Sequence, residues 1–129
     1  MVADTSLVMS YPKFCLQAQD SLLFRQQLRD YFDQTCRLYE RLFEVIRDDA
    51  SYYDRPCSLR HPLIFYFGHT ATFFMNKLVL AKLVDRINPT FESMFAIGVD
   101  EMSWDDLNDA HYDWPTVEAV REYRNQVKA

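Results

Sequence analysis

Residues 63–84, LIFYFGHTATFFMNKLVLAKLV, are the most apolar stretch of the chain and dictate most of what it can fold into. A helix that is apolar on nearly every side belongs in a core. As a bilayer span the stretch is spoiled by Gly68, His69, Asn76, Lys77 and Lys82, whose polar groups lipid leaves without partners. The pattern therefore predicts a buried central helix over residues 62–84, about 35 Å long. Pro62 suits its first position, where the missing N–H would be unpaired anyway. The opening residues, MVADTSLVMSYPKF, lack a basic start followed by an apolar leader, so neither a secretory signal nor a membrane segment is expected.

The central helix needs neighbours. Over residues 22–47, Leu28, Phe32, Thr35, Tyr39, Leu42 and Ile46 fall within roughly 40° of one line at 100° per residue, with the charges opposite. This predicts an amphipathic helix about 39 Å long, packed antiparallel to the central one across the connection DDASYYDRP. A short helix is expected over residues 91–97. Residues 98–114 read as an acidic, aromatic loop. A last helix, about 20 Å long, is opened by Trp114-Pro115 and carries a narrow stripe of Val117, Val120, Tyr123 and Val127. Only two glycines and five prolines are present, too few turn formers for a strand-rich fold. The expected class is all-α: an irregular lead-in over residues 1–20, then one helical bundle domain over residues 21–129. One full partner and half of another cover the central helix poorly. The expectation is thus a bundle lacking its fourth helix, or a complete small protein that dimerises through an uncovered apolar face.

Several function classes have no support. The net charge is −5, which disfavours a polyanionic partner such as nucleic acid. Cys15, Cys36 and Cys57 have no CxxC spacing, and a reducing cytoplasm is the default compartment. No GxSxG, P-loop or GxGxxG occurs. The acidic residues Asp100, Glu101, Asp105, Asp106, Asp109 and Asp113 lack the order of a calcium loop and read as solvated. Trp104 and Trp114 read as lining a pocket or closing the end of the bundle. Three histidines remain. His61 reads as a helix-start residue and His111 lies in the acidic loop. His69 sits mid-helix with Phe65, Thr72, Phe73, Asn76 and Leu80 on its side. A buried imidazole needs a partner; from the residues alone, a hydroxyl or carbonyl is favoured over a metal. One imidazole cannot hold iron or zinc, and no HxxxH or HxxE pair is present.

The strings GHTATFF, RINP followed by FES, GVDEMSWDDLN and HYDWPTVEAVREYR closely resemble the 5-histidylcysteine sulfoxide synthases of ovothiol biosynthesis. The resemblance spans about residues 25–127, and is to their N-terminal domain, a DinB-like up-down four-helix bundle. The ergothioneine sulfoxide synthases are similar but less close. This resemblance implies a mononuclear non-haem Fe(II) enzyme that uses O2 to join the sulfur of L-cysteine to the imidazole of L-histidine. It implies three histidine ligands, of which the one in the GHT segment matches His69. The other two belong to a later HxxxH helix of the family that these residues do not include. A further domain similar to formylglycine-generating enzymes completes the family's active site, and some members add a methyltransferase domain. The implied role is that of an N-terminal portion contributing one iron ligand, inactive by itself. The rival expectation is a non-catalytic DinB-like module that dimerises or binds a partner chain, which with an HxxxH helix would restore a metal site. A DNA-related role has only the DinB name in its favour.

Overall fold

The computed structural model describes residues 21–99 and 113–129, and every described element is helical. The expected lead-in over residues 1–20 and the acidic stretch over residues 100–112, with Trp104 and His111, lie outside the described residues. Helix α1 is Ser21–Phe43, a 3-10 turn is Asp49–Tyr52, α2 is Leu63–Leu80, α3 is Pro89–Met94 and α4 is Val117–Lys128. The all-α expectation holds. The expected absence of a fourth helix needs correction in its count. Four α-helices are present among the described residues once the six-residue α3 is included. No helix among the described residues is long and apolar enough to cross a membrane.

The chain divides into two compact units, Met1–Leu42 and Phe43–Ala129. The described part of the first is α1. Its half-buried positions include Phe24, Phe32, Cys36 and Tyr39, whereas Leu28, Thr35 and Leu42 of the predicted stripe are exposed. The helix also stops earlier than the predicted residue 47. A turn follows, and Asp48 caps the next element by accepting the Ser51 N–H at 3.1 Å.

The second unit holds the core. α2 buries one broad face, Ile64, Phe65, Phe67, Gly68, Ala71, Thr72 and Met75, against α4, α3 and the 3-10 turn. It is not enclosed on every side: Leu63 is 41% exposed and Leu80 73%. From α4, the stripe residues Val117, Val120 and Tyr123 are buried, and Val127 packs beside them half-buried. Thr116 caps this helix by accepting the Ala119 N–H at 3.2 Å. Arg124, a residue the apolar stripe omits, is also buried. Its Nη1 donates to the Phe67 carbonyl at 2.7 Å and to the Thr70 hydroxyl at 2.6 Å, and its guanidinium lies 5.0 Å from the Phe67 ring centroid. A buried charge is tolerable because polar acceptors and an aromatic face receive it. Tyr52 of the 3-10 turn is buried as well, its ring 5.8 Å from Phe67. The segment read as a plain connection therefore contributes to the core.

α2 ends at Leu80, four residues before the predicted stop. The Lys82 N–H donates to the Val79 carbonyl and the Leu83 N–H to the Leu78 carbonyl, with Lys82 at φ 58°. This is a Schellman termination with lysine in the left-handed position where glycine is usual. After it comes α3, whose placement explains the RINP and FES strings. Asn88 caps α3 by accepting the Phe91 N–H at 3.1 Å, and Pro89 takes the first helical position. Glu92, 1% exposed, accepts from the Ile87 and Asn88 N–H groups, each at 2.9 Å, and pairs with Arg86 at 2.9 Å. Asn76 of α2 donates to the Glu92 carbonyl at 3.0 Å. The strings thus encode a cap and an ion pair that shape the start of α3, and Asn76 ties it to α2.

Candidate functional site

His61, Phe65 and His69 are spaced four residues apart, so they follow one line along α2 and the residue before its Pro62 cap. The Phe65 ring is stacked on both imidazoles, 3.9 Å and 25° from His61 and 5.4 Å and 10° from His69. His69 is half-buried and also meets the Phe73 ring at 6.4 Å. Its Nδ1 lies 2.8 Å from the Phe95 carbonyl oxygen. A carbonyl only accepts, so Nδ1 carries the proton and Nε2 keeps the lone pair. Nε2 has no protein partner among the described residues. The carbonyl bond is the one a plain core histidine would make. It is also the kind of bond that orients a metal-binding imidazole, since fixing one nitrogen fixes what the other presents.

Local structure puts the carbonyl there. Phe95 follows α3 directly as its C-cap, and its ring is fully buried. The ring stacks on Trp114 at 5.9 Å and 21°, and meets the edge of Phe91 at 5.5 Å. It also lies flat against α2 at Gly68, where a Cβ would come within 2.6 Å of three ring atoms. Gly68 and His69 therefore act on the same residue: the glycine admits the Phe95 ring and the histidine binds its carbonyl. α3 in turn is held by Glu92, Arg86 and Asn76.

His61 uses the opposite nitrogen. Its Nε2 lies 3.1 Å from the Ile97 carbonyl, so Nε2 is the donor and Nδ1 the acceptor. The side chain precedes α2, as read from sequence, but is 8% exposed and walled by Phe65 and by the edge of Trp114 at 6.2 Å. Burial pushes its pKa below the ordinary value. The Ile97 carbonyl opposes that shift, while the charges of Arg55 and His69 add to it.

The remaining sequence candidates do not converge on His69. His111 and the acidic residues at 100–112 lie outside the described residues, and Asp113 is exposed. Trp114 belongs to the aromatic cluster around Phe95. Iron of the kind implied takes three protein donors. Among the described residues no group of three His, Cys, Asp or Glu side chains lies close enough together to hold an ion. His69 fits one ligand position, and the described residues do not form an iron site by themselves. The sequence singles out His69 but gives no sign of the Phe95 carbonyl or of the need for Gly68. A backbone acceptor has no side-chain signature.

A family model described as DinB superfamily matches residues 31–129. No curated protein matches the chain.

Proposed function

The chain belongs to the DinB superfamily, and on that premise we propose that it is the helical portion of an iron(II)- and O2-dependent 5-histidylcysteine sulfoxide synthase, to which it contributes one metal ligand, His69. The observation that carries this reading is the bond from His69 Nδ1 to the Phe95 carbonyl, which leaves Nε2 as a lone pair without a protein partner among the described residues. Bound iron would supply O2 activation and a thiolate position. The chain's own residues hold and orient one imidazole, with the Phe65 and Phe73 rings beside it. The two further donors come from outside the described residues.

The test is metal binding read residue by residue. Paramagnetic broadening of amide signals is followed as Fe(II) is added anaerobically to the purified chain. With one ligand of three the chain binds iron only weakly, so the expected broadening needs excess Fe(II) and is centred on His69, and His69→Gln removes that centre. No C–S bond forms when this chain alone is given Fe(II), cysteine, histidine and O2. Broadening no stronger at His69 than at His61 or His111 would overturn the proposal.

A further inference from the structure

A second place in the same unit has the features of a ligand site, and it uses residues other than His69. A cleft of about 770 Å3 opens between the loop that follows the 3-10 turn and the start of α2. That falls within the roughly 300–1,000 Å3 common for small-molecule sites. Its walls are mostly apolar and include Pro56, Leu59, Leu63 and Tyr66. His61 lines it too, 92% buried given its 8% exposure. With Nε2 committed to the Ile97 carbonyl, Nδ1 has no protein partner among the described residues, and it is not sealed from solvent. His61 lines the cleft, and Nδ1 is its one ring nitrogen not already bonded to a described residue. The loop wall is already in place. Arg55 Nη2 donates to the Ser58 carbonyl at 2.6 Å and its Nε to the Arg60 carbonyl at 3.2 Å, while the Arg60 N–H donates to the Cys57 carbonyl at 3.1 Å. A wall held this way loses little entropy on binding.

We propose that this cleft binds a small, neutral aromatic molecule bearing one O–H or N–H donor, a phenol or an indole, with that donor bonded to His61 Nδ1. Three observations select the class. The lone pair of Nδ1 can only accept, so the ligand must donate. The apolar walls and Tyr66 suit an aromatic ring. Among the described residues, the ionised side chains on the lining, Asp54 and Arg60, have opposite signs, which favours a neutral ligand over an ion. The burial that lowers the pKa of His61 keeps its ring neutral, and hence an acceptor, near pH 7.

The probe is para-cresol, titrated into the purified chain with amide and histidine side-chain NMR signals as the readout, against its methyl ether, which keeps the ring and loses the donor. Saturable shifts are expected at residues 54–66, with the ether roughly tenfold weaker, the range of one lost hydrogen bond. His61→Phe keeps a ring against Phe65 but has no acceptor. It should weaken para-cresol roughly tenfold and leave the ether unchanged. Equal affinity of para-cresol and its ether for the unmodified chain overturns the proposal, and that comparison stands even if the variant does not fold. Absence of saturable shifts also overturns it. So does para-hydroxybenzoate binding more tightly than para-cresol, which would make the occupant an anion read by Arg60.

Discussion

Replacing Gly68 with alanine tests whether the Phe95 ring really rests on the backbone of α2. In a helix this change normally stabilises by about 1 kcal/mol, because alanine is the better helix former. Here the added Cβ would stand 2.6 Å from three atoms of a ring that is fully buried. Carbon atoms settle at about 3.5–4.0 Å, so the ring must retreat by about 1 Å. It has nowhere to go cheaply: Trp114 is stacked on it at 5.9 Å, and Phe91 and Phe65 meet it at 5.5 and 6.4 Å. Overpacking of a closed site costs about 1–3 kcal/mol, and three clashing atoms put this case toward the upper end. The net expectation is a loss of about 1–2 kcal/mol after the propensity gain is subtracted. Urea unfolding with an unchanged slope measures it. The double variant Gly68→Ala, Phe95→Leu should be less destabilised than the sum of its parts, because the smaller side chain removes the clash. If Gly68→Ala unfolds at the same or a higher urea concentration than the parent, the glycine is not there for the ring.

Two further outcomes follow from the same structure. Glu92→Gln should cost about 1–3 kcal/mol in urea unfolding, since a buried acceptor of two backbone N–H groups loses its charge; the Arg86 partner is half-exposed and water-screened, so the pair itself adds little, and a change below about 0.5 kcal/mol would contradict this account. Lowered in the folded chain, the His61 pKa makes the unfolded chain bind more protons between that value and the ordinary 6.5, so stability is full above pH 6.5 and falls as pH drops through that window. His61→Phe should flatten that part of the stability–pH curve, and an unchanged slope in the variant would count against a buried neutral His61.

How much of this was legible beforehand depended on what kind of signal each feature leaves. Helix α2 was visible because so many apolar residues in succession have few other fates, and the stripe of α4 because its spacing is helical. The end of α2 was not visible, because Lys82 occupies a left-handed position that glycine normally advertises. Tyr52 lies in what the sequence presents as a polar connection, since an aromatic residue among acidic and hydroxyl side chains shows no period. Arg124 has no signal in the sequence, for only tertiary structure brings the Phe67 carbonyl and the Thr70 hydroxyl to it. On α1, Phe32 and Tyr39 were placed on the half-buried side as seen, but Cys36 replaces Thr35, a small rotation that propensity and period cannot resolve. His69 stands out in the sequence in two ways, as a core histidine wanting a hydroxyl or carbonyl and, through family resemblance, as an expected metal ligand. The carbonyl is present on Nδ1, and the proposed metal role would use the other nitrogen.

That division of labour extends to both imidazoles. The segment after α3 offers two carbonyls, Phe95 to Nδ1 of His69 and Ile97 to Nε2 of His61, so one short stretch of backbone sets both tautomers and sets them oppositely. A free histidine has no such fixed choice; here the choice follows from where α3 stands. α3 stands where it does because Glu92 gathers the Ile87 and Asn88 N–H groups and Arg86, and because Asn76 ties its backbone to α2. Arg86, Asn88 and Glu92, from the RINP and FES strings, thus act on structure, and through it on two histidines they do not touch. A substitution at Glu92 should therefore disturb the side-chain nitrogen signals of His61 and His69 together, whereas one at Gly68, acting through the Phe95 ring, should disturb His69 more than His61.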